Sequence, residues 1–298
     1  SKSLVDISAV KTDTDWFDEA LTSHKSAAGL IIGDNGMELL ILTEHEKVKD
    51  GDLKVRFYDH TEAAGTPKKY DSNTGLAVIS VNLSDVDSST REVISYAELG
   101  SSKSLRSGQP VIVVGNPTGS NSSLLFGNLT SVTQTAELYD SSYNILTTDI
   151  LKSSNGSGVV ADWSGKIVGL LQEKTEVEGQ DNTIQAYGIS DVKDLIEHLS
   201  NNQDIVYMGI VGADVTTSIS EQENIPIGVY VSEVSLDSPA QPGDIITEIN
   251  GQAIVNLKDI VATLLKCSSG QTVDVRYKRA DASGYQDLQA SVTLKVLQ

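Results

Sequence analysis

The 298-residue chain has a single cysteine, Cys267, and only six prolines, three phenylalanines and two tryptophans. One thiol excludes an internal disulfide and any cysteine-rich metal site, and Cys267 reads as a small core residue. Aromatics make up 5% of the residues, so a core must be built from aliphatic side chains. Basic residues number 22 against 41 acidic ones, and the net charge of −19 repels nucleic acid and anionic membrane surfaces alike. No apolar run approaches membrane-spanning length. Three of the four histidines, His24, His60 and His198, show no metal-ligand spacing with Asp or Glu. No Walker loop, dinucleotide fingerprint or paired-carboxylate motif is present, so neither a metal nor a cofactor is expected. The start at Ser1 carries no signal-like segment, and any anchor or signal is expected in a longer precursor.

Short Val/Ile/Leu runs separated by glycine, serine and asparagine favour many short strands over long helices. The length suits two domains or three small units. Ala27–Ile32, Asp34-Asn35-Gly36 and Leu39–Thr43 read as a hairpin closed by an Asn-Gly turn. Further strands are predicted at Lys54–Tyr58, Leu76–Val81, Pro110–Gly115, Asn128–Thr135 and Lys166–Leu171, with a terminal strand near Ala290–Val296. Ser190–Leu199 puts Val192, Leu195, Ile196 and Leu199 on one helical face behind a Ser-Asp cap. A second helix is predicted at Leu257–Lys266. Asn201-Asn202-Gln203-Asp204 is polar and aperiodic, and reads as a linker between residues 1–203 and 204–298.

The most informative run is Thr148-Asp149-Ile150-Leu151-Lys152-Ser153-Ser154-Asn155-Gly156-Ser157-Gly158. A serine among small residues, eight positions after an aspartate and between two strand-like stretches, resembles the nucleophile loop of a trypsin-like protease. Other segments fall in matching order: Val113–Gly119 with its Gly-Asn-Pro turn, Gly127–Ser131, Gly165–Leu170 and Ala186–Ser190. Tyr207-Met208-Gly209-Ile210, Gly228–Val231, Ser238-Pro239-Ala240, Pro242–Ile246 and Ile249-Asn250-Gly251 follow in the order of a PDZ domain. On these segments the chain resembles the HtrA serine proteases. The resemblance implies a mostly β fold: a trypsin-like double antiparallel β-barrel over 1–203, then an α+β PDZ domain over 204–298. One departure is the single residue, Gln241, between Ala240 and Pro242, where relatives carry a short helical turn.

The resemblance also assigns roles. Ser157 stands at the nucleophile position, with an oxyanion hole at Asn155 and Gly156; Asn155 replaces a glycine and Val159 another. Counting forward from Thr43 puts Glu46 at the histidine position, whereas counting back from Val55 puts His45 there. The aspartate position before Leu76-Ala77-Val78 is Gly75, and a glycine cannot orient an imidazolium. Asp71 is four residues away and Lys152 lies near Ser157; each is a weaker substitute. The residues therefore imply an impaired or inactive centre, a pseudo-protease that retains peptide binding. An active extracytoplasmic serine endopeptidase in protein quality control, with Ser157 as nucleophile and His45 as base, stays open beside it, as does a purely scaffolding module.

In the PDZ half, the resemblance assigns Tyr207, Met208, Gly209 and Ile210 to the loop whose backbone amides hold a peptide's terminal carboxylate. Ile210, Val261 and Leu264 are assigned to the side-chain pocket. Protein C-termini or unfolded segments are the implied partners, in an extracytoplasmic setting. A homotrimer is implied as well, with Trp16 and Phe17 as candidate contacts.

Overall fold

A computed structural model describes residues 2–14, 20–119, 123–153, 156–171, 182–235, 238–282 and 284–297, with the backbone alone at 12–14 and 20–24. Trp16, Phe17 and Asn155 lie outside the described residues, as does the side chain of His24. By internal contacts the chain divides into two compact units. Ser1–Gln134 with Asn144–Gln203 form the first, and Thr135–Tyr143 with Asp204–Gln298 the second.

The first unit holds two closed six-stranded antiparallel barrels, apart from the strand ends within Thr135–Tyr143. One consists of β1 (Leu4–Thr14), β2 (Ala20–Asp34), β3 (Glu38–Glu44), β4 (Asp52–Arg56), β5 (Glu62–Tyr70) and β6 (Leu76–Asn82), in the order β1-β2-β3-β6-β5-β4. A one-turn helix, α1 (His45–Val48), joins β3 to β4, and a second short helix, α2 (Ser88–Arg91), follows β6. The other barrel consists of β7 (Pro110–Asn116), β8 (Ser123–Leu138), β9 (Ser141–Leu151), β10 (Ser157–Ala161), β11 (Ile167–Leu171) and β12 (Thr183–Gly188), in the order β10-β11-β12-β9-β8-β7. Closure removes the exposed sheet edges that aliphatic strands would otherwise present. Ile7, Ile31, Ile41, Val55 and Ile79 fill the first barrel, and Val113, Leu129, Leu146, Val160 and Ile184 the second. Each such side chain contributes about 1.5–3 kcal/mol when fully buried.

Local signals are met where the chain chemistry is strong. Asn35 closes the β2–β3 hairpin: its Oδ1 accepts the amides of Met37 and Glu38 at 3.0 and 2.8 Å. The strand expected at Lys54–Tyr58 ends at Arg56, because the Phe57 amide turns to Thr61 O and the His60 amide to Phe57 O. The helix expected from Ser190 is α3 (Ile189–Ser200), and it buries Val192, Leu195, Ile196 and Leu199 as expected. Its N-cap is Gly188 without a side-chain bond, so the Ser-Asp cap is not formed. Ser190 instead exchanges hydrogen bonds with Ser102, and Asp191 accepts from Asn144 Nδ2 at 2.6 Å.

The second unit is a sheet in the order β13-β14-β15-β17-β18, with β16 paired to β15. The strands are β13 (Ile210–Val215), β14 (Gly228–Val234), β15 (Ile245–Ile249), β16 (Gln252–Ala253), β17 (Thr272–Asp281) and β18 (Gly284–Thr293), with helices α4 (Thr217–Glu223) and α5 (Leu257–Leu264). Residue 256 explains where α5 begins: Asn256 and Asp259 form a reciprocal capping box. The last strand starts six residues before the expected Ala290, because Gly284–Gln289 pair with β17 although Tyr285 and Leu288, three residues apart, give no apolar alternation. Cys267 packs against the core and its Sγ donates to Thr263 O at 3.4 Å. The short connection at Gln241 is a closed turn: the Gln241 amide reaches Asp244 Oδ2 at 2.7 Å, and Asp244 in turn takes Arg279 through two bonds of 2.7 and 2.8 Å.

Candidate functional site

In the first unit, the carbonyl of Gly75 accepts the amide of His45 at 2.8 Å, so the histidine-bearing helix and the loop before β6 are neighbours. The Gly75 position supplies a backbone carbonyl there, not a carboxylate. Asp71 sits in the same loop, buried, and its carboxylate accepts the Asn73 and Thr74 amides and the Thr74 hydroxyl. Those bonds hold the turn that leads into Leu76. The His45 ring is half-buried and stacks on Tyr70, with centroids 3.7 Å apart and planes 7° from parallel.

Ser157 opens β10 and is 0% exposed. Its Oγ accepts the backbone amide of Ala28, on β2, at 2.8 Å. The Ala28 carbonyl takes the Thr43 hydroxyl at 3.0 Å, so both polar groups of this residue are satisfied. Beside Ser157, the Gly156 amide donates to Ser153 O at 3.0 Å, which turns it into its own loop. Lys152 is half-buried, and its amide donates to Asn182 O.

Counting along the loop weighed His45 and Glu46 but passed over Lys47. In a one-turn helix, residues 44 and 47 fall on one side, and here that side faces inward. Lys47 is 8% exposed and Glu44 4%, with Nζ 3.6 Å from Glu44 Oε2. The same Nζ donates to the carbonyl of Gly156 at 2.7 Å. A cation is thus tied to the residue before the serine. The signal available in the sequence was Glu44 and Lys47 at i,i+3 spacing, followed by apolar Val48.

In the second unit, β13 is an edge strand of the sheet, and α5 is fixed to its far end by the Leu257 amide donating to Asp214 Oδ1 at 2.7 Å. Ile210, Ile260 and Leu264 belong to the core; Val261 is half-buried. The loop before β13 is anchored on both sides. Tyr207 and Lys295 exchange main-chain bonds of 2.9 and 3.2 Å, and Gly209 O accepts Ser235 N at 2.7 Å. Gly209 has φ +82°, and a Cβ there would stand 2.3 Å from Ser235 Oγ, so only glycine fits.

That geometry points three successive amides to one place. Met208, Gly209 and Ile210 donate to the Asp140 carboxylate at 2.5, 3.0 and 3.1 Å. Asp140 is at the tip between β8 and β9, at φ +55° and 1% exposed. Burial pushes its carboxyl up to about 6, and the three amides pull the other way. Sequence reasoning did not single out Asp140: an acid between Tyr139 and Ser141 looks like an ordinary turn residue.

Comparison with known proteins agrees with this architecture. A trypsin-like peptidase domain model matches residues 27–170, and a PDZ domain model matches 189–294. Serine protease Do-like HtrA of Bacillus subtilis (strain 168) is 28% identical over 283 residues, covering 87% of this chain and 62% of that protein. The HtrA of Lactococcus lactis subsp. cremoris (strain MG1363) is 26% identical, covering 92% and 72%. The chain thus spans less than two thirds of the length of the Bacillus relative. Among solved structures, the HtrA-type protease AlgW with decapeptide superposes with a TM-score of 0.66 at 17% identity, covering 100% of this chain and 96% of that one. The serine endoprotease from Yersinia pestis gives 0.60 at 18%, covering 100% and 95%. With two β-barrels, a PDZ unit and relatives along nearly its whole length, the chain belongs to the HtrA family.

Proposed function

We propose that the chain is an HtrA-family pseudo-protease that binds polypeptide C-termini or unfolded segments through its PDZ unit. The observation that carries the first half is the Ser157–Ala28 bond. A serine nucleophile needs a base to take its proton and an open line to a carbonyl carbon. Ser157 Oγ has no exposed surface and accepts a backbone amide. The groups around it add to the same reading: the His45 ring lies on Tyr70, the Gly156 amide is spent on Ser153, and Gly75 offers no orienting charge. Loss of that charge alone costs about 10⁴ in kcat in a well-studied protease, and loss of one oxyanion donor about 10²–10³.

The second half rests on the anchored amide loop and the edge strand β13 beside α5. A peptide ending in a free carboxylate would extend the sheet from β13, with its last apolar side chain against Ile210, Val261 and Leu264. The net charge of −19 keeps nucleic acid out of the partner set. In the same reading the chain works outside the cytoplasm within a longer anchored or secreted protein and assembles as a homotrimer, both carried by family likeness.

Incubation of the full chain with a fluorophosphonate probe tests the reading. Labelling no greater than that of Ser157→Ala is expected, together with no cleavage of casein. Rapid stoichiometric labelling abolished by Ser157→Ala would replace it with an active serine endopeptidase of protein quality control.

A further inference from the structure

The amide loop before β13 is already occupied. Asp140 fills it as a terminal peptide residue would: its carboxylate accepts from Met208, Gly209 and Ile210, and its own backbone amide donates to Ile210 O at 2.6 Å. One residue thus supplies an anion to the loop and a donor to the first carbonyl of the edge strand, the two main-chain features a docked C-terminus presents. Asp140 belongs by its contacts to the same compact unit as the loop, although 68 residues or more separate them in sequence.

We infer that the β8–β9 tip is an internal ligand of the PDZ unit, and that any peptide C-terminus binds only by displacing Asp140. The inference rests on the peptide-binding reading above and adds the competitor to it. Two carboxylates cannot share three amides, because like charges at that distance repel and each amide has one proton to donate. The side-chain carboxylate of Asp140 is tethered, so its effective concentration at the loop is high without any external ligand. A peptide therefore binds with its intrinsic affinity reduced by the fraction of molecules in which the tip has left. The left-handed backbone of Asp140 matters here. At φ +55° the chain reverses at the residue that enters the loop, so a single acid is presented at the tip between β8 and β9.

The test uses a fluorescein-labelled decapeptide ending in a free valine, its C-terminal amide, and the full chain. Fluorescence anisotropy compares the native protein with Asp140→Ala and with Asp140→Asn, which keeps the shape and removes the charge. The expected result is at least about tenfold tighter binding of the free acid to Asp140→Ala, an intermediate value for Asp140→Asn, and no comparable gain for the amide. Equal affinity of native protein and both variants overturns the internal ligand and leaves the peptide groove standing. No binding by any form, with the folded circular-dichroism spectrum retained, overturns the groove and the inference together. Hydrogen exchange on the native chain needs no variant. Saturating peptide is expected to speed exchange at the Asp140 amide, which loses Ile210 O, while the Met208 and Gly209 amides stay protected. Unchanged exchange at Asp140 under saturation overturns the displacement.

Discussion

The amide of Ala28 and the hydroxyl of Ser157 meet at 2.8 Å across 129 residues of sequence, joining a strand of the first barrel to one of the second. A hydroxyl in the nucleophile position therefore serves as an acceptor that completes a buried backbone. A buried amide must be satisfied, and the usual partner is main chain or water. Here it is the side chain that catalysis would need.

Ser157→Ala is expected to destabilise the first unit, because the Ala28 amide loses its acceptor in a fully buried place. The cost of an orphaned buried donor is about 1–3 kcal/mol. Thermal unfolding monitored by circular dichroism reads it directly. A midpoint identical to that of the native chain would mean that water or a neighbour replaces the hydroxyl.

Lys47 binds the β3–α1 corner to the loop before Ser157. Lys47→Met removes the cation 3.6 Å from Glu44 and the donor to Gly156 O. Breaking a buried pair by removing one partner costs on the order of 3 kcal/mol. Glu44→Gln in the Lys47→Met background is expected to return part of that loss, and strict additivity of the two substitutions in urea denaturation would sink the pairing.

Restoring a carboxylate at residue 75 does not restore a protease in this reading. Gly75 has φ +80°, a conformation costing a non-glycine residue about 1 kcal/mol. Gly75→Asp is expected to lower stability slightly and to leave fluorophosphonate labelling of Ser157 at background, since the hydroxyl remains buried. Labelling that appears with Gly75→Asp would show that the missing aspartate alone silences the centre.

Peptide binding is expected to depend on pH through Asp140. Its carboxyl is raised from 3.8 to about 6 when docked, by burial, and the groups that meet it from the loop are backbone amides. A raised pKa means that the docked tip holds a proton that the solvated tip releases. Docking is therefore favoured below about 4, and this contribution is lost as pH rises through 6. Apparent affinity for the free-acid peptide should increase across that window, by up to about two decades, with Asp140→Ala showing no such component. Parallel profiles for the two proteins between pH 4 and 7 would refute the assignment.

Much of the architecture was legible because it is local. Asn35-Gly36 can hardly do anything but turn, and Asn256 with Asp259 caps a helix through bonds spanning three residues. The order of the family-like segments then supplied the barrels. What stayed hidden depends on partners far away in sequence. β8 was read as eight residues and runs for sixteen, because the run Leu124-Leu125-Phe126 ahead of Asn128 has no apolar–polar alternation, and Leu124 and Phe126 are exposed. Ser157 was located, but not its acceptance of the Ala28 amide. Lys47 escaped because loop counting ignores the rise of a helical turn. Asp140 escaped because its meaning lies wholly in three amides beyond residue 207.

The assignment of Thr135–Tyr143 to the second unit has a practical consequence for anyone dividing this chain. Cutting at residue 204 yields a fragment that follows the sequence boundary but leaves behind the nine-residue segment Thr135–Tyr143 of the compact unit. Its amide loop would face solvent, and a ligand screen on it would measure a receptor stripped of its own occupant. Hits would rank correctly among themselves while overstating what the intact chain retains at the same concentration. A free carboxylate in the buffer, acetate or citrate, would be the first thing such a fragment captures.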